Sequence, residues 1–140
     1  MVMKRIWFFS IILLVLSAAQ ALAQNYVKPD QFKQWIETSK PLQIVDIQPA
    51  ADFAKQHFKN SIQTNAFPAK SAEEKQKIDA VLPGLQSSKD NIVIVCPRGG
   101  GGAKNTYEHL KAKGIPESRL FILEKGIQGW PFLEMFVQDK

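Results

Sequence analysis

The sequence has few of the residues that hold metals or form disulfides. Its 140 residues include one cysteine, Cys96, and two histidines, His57 and His109. A single cysteine cannot close a disulfide within the chain, and the lack of a Cys-x-x-Cys pair excludes dithiol redox chemistry. One cysteine and two well-separated histidines also argue against a zinc site. The lone thiol is therefore either a buried, inert side chain or a reactive one.

Long apolar runs are also scarce, and the longest stands near the start of the chain. A basic beginning is followed by an almost wholly apolar stretch at 6–19 and by the small-x-small pattern Ala21-Leu22-Ala23. This order is typical of a secretory signal peptide. The apolar stretch is shorter than the roughly 20 residues that a helix needs to cross a bilayer. We therefore expect a signal peptide at 1–23, no stable membrane anchor after its cleavage, and a periplasmic or secreted protein.

The charge is only mildly unbalanced. Removing residues 1–23 takes away Lys4 and Arg5 and lowers the formal net charge from +5 to +3. The remaining lysines are scattered along amphipathic segments, so we expect no nucleic-acid partner. A small anionic substrate is compatible with this charge. Residues 24–140 are enough for one domain with a buried core.

Strand and helix patterns alternate along residues 24–140. Runs of apolar, β-branched residues predict strands at 42–47, 61–64, 91–96 and 119–123. Apolar spacing, capping residues and prolines predict five helices. They lie at 29–39, at 49–57, from the Ser71/Glu74 capping box to Pro83-Gly84, at 103–114, and from Pro131 onward. This alternation predicts an α/β fold with a small parallel sheet covered by helices on both faces.

The segment VCPRGGGGAK, residues 95–104, contains the single cysteine and four consecutive glycines. It follows the clearest predicted strand, at the sheet edge where α/β proteins place their sites. Glycine is costly to order, so four in a row require a geometric reason. A strand, a glycine-rich loop and a helix can point several backbone N–H groups at one atom. We therefore predict that Cys96 is a reactive thiolate held by loop amides rather than a structural thiol.

Other glycine-loop motifs do not fit these residues. A phosphate-binding P-loop requires Gly-Lys-Ser/Thr, but Ala103 precedes Lys104 and Asn105 follows it. A dinucleotide-binding fingerprint requires a third glycine where Lys104 stands. The known family motif of cysteine phosphatases is a cysteine, five residues and then an arginine. In this chain Gly102 stands at the arginine position. The anion that the loop would hold is thus the sulfur itself.

Three segments together resemble the single-domain rhodanese-like sulfurtransferases. They are IVDIQPAADFAKQHFKNSI, the loop segment IVIVCPRGGGGA, and LEKGIQGW. The resemblance covers nearly all of residues 24–140 and implies that Cys96 accepts a sulfane sulfur as a persulfide. It further implies transfer of that sulfur to a thiol or to cyanide. The chain departs from the family's usual residues at Gln48, where arginine is usual, at Lys125, where glycine is usual, and at Gly101 and Gly102.

These considerations define the candidate site. Cys96 is the predicted nucleophile, acting by the displacement chemistry of thiol–disulfide exchange. The resemblance implies thiosulfate or a polysulfide as the sulfur donor. Loop amides would stabilise negative charge, and cationic side chains would steer an anionic donor. The predicted substrate-binding residues are Arg98, Gly99, Gly100, Gly101, Gly102, Ala103, Lys104 and Lys125. No metal and no cofactor are expected.

Several other residues are interpreted as structural. Asp46 and His57 are expected to make hydrogen bonds within the framework, Trp35 and Trp130 to pack in the core, and His109 to face solvent.

Two functions other than catalysis stay open. The protein could carry a persulfide or hold a partner without turnover, or it could be a redox sensor. In a sensor, Cys96 would form sulfenic acid or a mixed disulfide.

Overall fold

The computed structural model describes residues 23–140. The predicted signal peptide at 1–23 therefore lies outside the described residues, except for Ala23. The strands are β1 (Tyr26–Val27), β2 (Leu42–Asp46), β3 (His57–Phe58), β4 (Ile62–Gln63), β5 (Asn91–Val95), β6 (Leu120–Leu123) and β7 (Phe136–Val137). The helices are α1 (Pro29–Glu37), α2 (Ala50–Lys55), α3 (Ala72–Asp79), α4 (Leu82–Gln86) and α5 (Gly101–Ala112), with 3₁₀ turns at Glu117–Arg119 and Leu133–Met135. In this part of the chain, no helix combines the length and apolarity needed to cross a membrane.

The main sheet has five parallel strands in the order β1-β6-β5-β2-β4. Its central strand, β5, is fully buried from Ile92 to Val95 because helices cover both faces of the sheet. On one face, residues of α3, α4 and α5 form an apolar cluster with the sheet. On the other face, α1 contributes Phe32 and Trp35 to a cluster that also contains Trp130. The α/β class and the core positions of both tryptophans are as predicted.

Local sequence signals set several element boundaries. The predicted capping box forms at the start of α3, where Glu74 N–H donates to Ser71 Oγ at 3.1 Å and Ser71 N–H donates to Glu74 Oε1 at 3.0 Å. The strand predicted at 91–96 ends at Val95, so Cys96 is the first residue of the loop. The helix predicted at 49–57 is α2, which ends at Lys55 and leaves His57 to β3.

Two element predictions are wrong. The helix from the capping box ends at Asp79, and Pro83 lies instead in the first turn of α4, where a proline removes no helical hydrogen bond. The helix predicted from Pro131 is a 3₁₀ turn followed by β7, which pairs antiparallel with β3. This pairing places the Phe136 ring 5.0 Å from the Phe58 ring, centroid to centroid. The aromatic contact across the strands outweighs the local helical pattern.

Candidate active site

Cys96 lies at the carboxyl edge of the sheet, directly after β5. The residue is 1% exposed, and it lines a cavity of about 520 Å³. The wall of this cavity includes Phe67, Pro68 and residues of the cysteine loop. The free thiol is therefore itself nearly screened from bulk water, and it lies at the floor of a cavity that opens to solvent.

One loop amide makes direct contact with the sulfur. The backbone N–H of Gly99 donates a hydrogen bond to Cys96 Sγ, with 3.0 Å between nitrogen and sulfur. The amides predicted to hold the sulfur run from Gly99 to Ala103. Among them, the Gly99 N–H is the one that donates to Sγ in the described structure. A donor aimed at the sulfur favours negative charge on that atom. The role of the other loop amides stays a prediction for a bound substrate.

The backbone geometry explains why residue 99 is a glycine. Gly99 has a φ of +72°, in the left-handed region that residues with a side chain rarely adopt. A Cβ at this position would also lie 2.8 Å from both Leu123 O and Lys125 N. The tight turn therefore presses the cysteine loop against the loop that follows β6, and it aims the Gly99 N–H at the sulfur.

The loop after β6, residues 125–129, supports the cysteine loop from behind. Ile127 N–H donates to Cys96 O at 3.0 Å. Gly126 has a φ of +60°, and a Cβ there would overlap Cys96 O and lie 2.7 Å from Gly99 N. The segment LEKGIQGW thus positions the nucleophile through backbone contacts. From the sequence, only its resemblance to the family pointed to this role.

The other three glycines of the run have different surroundings. A Cβ on Gly102 would lie 2.9 Å from the Phe67 ring, so this glycine gives the ring its place in the cavity wall. A Cβ on Gly100 or on Gly101 would meet no neighbouring atom of residues 23–140 within 4 Å. Both residues line the cysteine cavity, so their missing side chains leave open space in it. Phe67 was not predicted, since a phenylalanine before a proline carries no chemical signal in the sequence.

The structure separates the three cations that were predicted to steer an anionic donor. Arg98 lines the cysteine cavity, and its Nε donates to Gln128 Oε1 at 3.2 Å. Lys104 is exposed on the first turn of α5, and Lys125 lines a different cavity. Lys70 also lines the cysteine cavity, although no local pattern in the sequence predicts it there. Steering by Lys104 and Lys125 stays a prediction that rests on long-range charge alone.

A buried carboxyl group lies at the end of the neighbouring strand β2. Asp46 is fully buried, and its two carboxylate oxygens accept hydrogen bonds from Gln48 N–H at 2.8 Å and from Gln48 Nε2 at 2.9 Å. Burial raises the pKa of Asp46 to about 6, although these hydrogen bonds act in the opposite direction. Gln48 offers Asp46 hydrogen bonds but no positive charge. An arginine, which the family resemblance leads one to expect there, would offer both.

Neither histidine lines the cysteine cavity. His57 Nδ1 lies 2.7 Å from Phe53 O, and the two rings stack with centroids 3.9 Å apart. The predicted exposure of His109 is wrong, because its side chain is 12% exposed and its Nε2 lies 2.7 Å from Asp79 Oδ1. This contact joins α5 to α3.

Across residues 23–140, no three His, Cys, Asp or Glu side chains are grouped so that they could hold a metal ion.

Comparisons with known proteins agree with this architecture. The rhodanese-like domain family matches residues 28–131. A comparison with curated protein sequences found no match. Among solved structures, the chain is similar to a rhodanese-like domain protein from Staphylococcus aureus, with 25% identity, a TM-score of 0.60, and coverage of 84% of this chain and 100% of that one.

Two further solved structures share the fold at lower identity. One is a thiosulfate sulfurtransferase from Pseudomonas aeruginosa, with 15% identity, a TM-score of 0.62, and coverage of 84% of this chain and 20% of that one. The other is a yeast protein tyrosine phosphatase of the rhodanese family, with 18% identity, a TM-score of 0.58, and coverage of 76% and 83%. Because the family match extends from the residue before α1 to Pro131 and takes in both loops around Cys96, the chain belongs to the rhodanese-like domain family.

Proposed function

We propose that the protein is a sulfurtransferase that takes a sulfane sulfur from thiosulfate or a polysulfide onto Cys96 and passes it to a thiol or to cyanide. The observation that carries this proposal is the hydrogen bond from Gly99 N–H to Cys96 Sγ at the floor of a cavity. Membership of the rhodanese-like family supports sulfur chemistry in general. Arg98 and Lys70 in the cavity wall suit an anionic donor.

The proposed transfer consists of two displacements at sulfur. The Cys96 thiolate attacks the outer sulfur of thiosulfate, the sulfur–sulfur bond breaks, and sulfite leaves with the bonding electron pair. With a polysulfide, the leaving group is the shortened polysulfide. An acceptor thiolate or cyanide then attacks the outer sulfur of the persulfide, and Cys96 leaves as a thiolate. The enzyme returns to its starting state with no change in oxidation level and no proton taken up by a protein base.

Two features of the loop support both displacements. Negative charge lies on the sulfur of Cys96 before the first step and on the outer sulfur of the persulfide after it. The Gly99 N–H, at 3.0 Å from Sγ, and the amino end of α5 are preorganised dipoles that stabilise such charge. The open space beside Gly100 and Gly101 gives room for the added sulfur and for the reactant.

The fold likeness to a phosphatase does not favour phosphatase activity here. Gly102 stands where cysteine phosphatases carry their arginine, and the Phe67 ring closes the space into which a side chain at that position would extend. A phosphoryl group over Cys96 would therefore lack the guanidinium that holds its oxygens. We expect no turnover of aryl phosphates.

We also propose that the protein is exported and acts in a periplasm or outside the cell. The support is the signal-peptide pattern of residues 1–23. Expression of the full chain in a bacterial host, followed by amino-terminal sequencing of the exported fraction, should give Gln24 as the first residue. A product that retains Met1 and stays with the membranes would contradict the proposal.

Turnover with cyanide tests the proposed activity. Purified protein, thiosulfate or polysulfide, and cyanide should yield thiocyanate over many turnovers, and Cys96→Ser should reduce this to background. Circular dichroism of Cys96→Ser serves as the control for folding. A protein that loads sulfur but releases it to no acceptor would be a carrier. A protein that takes up no sulfur but reacts rapidly with peroxide would be a redox sensor.

A further inference from the structure

Phe67 is a large apolar side chain that stands at the site without being enclosed by the core. The residue is 40% exposed and lines the cysteine cavity. Its ring also lies against Gly102, where a Cβ would come within 2.9 Å of it. A ring in the wall of a reactive cavity that is still open to solvent is available for contact with a ligand.

The backbone on both sides of this ring is held in place. Phe67 N–H donates to Ile47 O, directly after β2, at 2.8 Å. Pro68 O accepts a hydrogen bond from Asn105 Nδ2, on α5, at 3.1 Å. These two bonds tie residues 67–68 to the end of a strand of the main sheet and to the helix that follows the cysteine loop. The ring therefore keeps its place in the cavity wall although solvent reaches it.

Part of this wall is apolar. The Phe67 side chain has no polar atom, and Pro49, Pro68 and Pro97, which line the same cavity, have no N–H to donate. The cations elsewhere in the wall attract any anionic donor and do not distinguish one from another. Discrimination between anions therefore falls to the apolar part.

The two candidate donors make different demands on an apolar wall. Thiosulfate carries three oxygens that accept hydrogen bonds, and an oxygen placed against an aromatic ring loses water without gaining a new donor, which is unfavourable. The sulfur atoms within a polysulfide are polarisable, and divalent sulfur makes favourable contacts with aromatic rings. The same ring therefore disfavours thiosulfate and favours polysulfide.

We infer that Phe67 determines the choice of sulfur donor and favours polysulfide over thiosulfate. The inference rests on the proposed function and names the residue that selects the donor at that same site. In the step concerned, Cys96 Sγ forms a bond to the outer sulfur of the polysulfide. The adjacent sulfur–sulfur bond breaks, and a chain that is one sulfur shorter leaves with the bonding electron pair.

The test compares the two donors on the full-length protein, with no acceptor present. The rate constant for the gain of one sulfur on Cys96 is measured with each donor by rapid quenching and intact mass spectrometry. In Phe67→Ala, the ratio of the polysulfide rate constant to the thiosulfate rate constant should fall about three- to tenfold. This is the effect of losing one or two contacts between sulfur and the ring.

The matched control is Tyr26→Ala, which removes an aromatic ring of β1 that is also 40% exposed but lies outside the cysteine cavity. Its ratio should stay at the wild-type value. A ratio that falls equally in the two variants would overturn the inference.

An unchanged ratio in Phe67→Ala would also overturn it, even if both rate constants fell together, since an equal loss would show that the ring only supports the loop. This outcome would leave the proposed sulfur transfer in place. Absence of sulfur gain from either donor in the wild type would overturn both the inference and the proposed function.

Discussion

At the scale of single residues, the four glycines after Cys96 differ in the constraints that act on them. Gly99 combines a positive φ with close backbone neighbours, whereas Gly101 opens α5 with free space around its Cα. The two positions are two residues apart and have opposite tolerance for a side chain. They form a matched pair for testing how the loop is held.

We expect Gly99→Ala and Gly101→Ala to change stability in opposite directions. Gly99→Ala should lower the free energy of unfolding by about 1–3 kcal/mol, since it forces a methyl group against backbone atoms in the left-handed region. Gly101→Ala should raise it by about 0.4–1 kcal/mol, because alanine restricts the unfolded chain and fits the helix. Urea denaturation measures both. Equal effects at the two positions would contradict this description of the loop.

Asp46 gives the fold a dependence on pH. Its pKa is about 6 in the folded protein, against 3.8 for a free side chain, because burial disfavours the charged form. The folded state therefore binds this proton more tightly than the unfolded state. The contribution of this carboxyl group to the free energy of unfolding is fully present below about pH 4 and is lost as the pH rises through about 6. The difference between these limits is about 3 kcal/mol.

The variant Asp46→Asn tests this dependence. As the pH rises from about 3 to 7, the wild type should lose about 3 kcal/mol of unfolding free energy relative to Asp46→Asn, which has no proton to lose there. Asp30→Asn, at an exposed position in α1, should show no such change relative to the wild type. A constant difference between the wild type and Asp46→Asn across this range would show that the carboxyl group titrates normally.

At the scale of secondary-structure elements, β3 and β7 close one side of the molecule. Their antiparallel pairing places His57 opposite Val137 and Phe58 opposite Phe136. Phe136 is packed against the cluster that contains Phe32, Phe58 and Trp130, whereas Val137 is 37% exposed. The inward residue of β7 should therefore contribute much more to stability than its outward neighbour.

Truncation of these two neighbouring residues tests the role of β7. Phe136→Ala should lower the free energy of unfolding by about 2 kcal/mol, somewhat less than a fully buried phenylalanine would cost. Val137→Ala should lower it by less than about 1 kcal/mol. Comparable losses in thermal or urea unfolding would indicate that β7 does not pack on the aromatic cluster.

Elements with a strong local signal could be predicted from the sequence, and elements held by distant contacts could not. β5 is recognisable from its own apolar run, and α3 from its capping box. β7 depends on Phe58, which lies far away in the sequence, so the local pattern led to a helix instead. In the site, Cys96 and its glycines are contiguous and were identified together. Phe67 reaches the cavity only through the fold.

The cations show the same limit for side-chain direction. A lysine near a glycine loop is visible in the sequence, but whether it faces the cavity depends on the turn of the helix or loop that carries it. Arg98 lines the cysteine cavity, while Lys104 and Lys125 do not. Lys70 does line it, although 26 positions separate it from Cys96 in the sequence.

At the scale of the whole molecule, the site is a consequence of sheet order. β5 lies between β2 and β6, so the segments that follow these three strands meet at one edge. The loop after β5 carries the nucleophile, and the loop after β6 supports it with Gly126 and Ile127. The segment after β2 brings Pro49 and Asp52 to the wall of the cysteine cavity. Parallel α/β sheets place their sites at this edge for the same reason.

The central claim is that Cys96 receives a sulfane sulfur, and intact mass spectrometry tests it most directly. After brief incubation with polysulfide or thiosulfate, the wild type should gain the mass of one sulfur atom and lose it again when cyanide is added. Cys96→Ser should gain nothing under the same conditions. A wild-type protein whose mass does not change, or a gain of equal size in Cys96→Ser, would contradict the account.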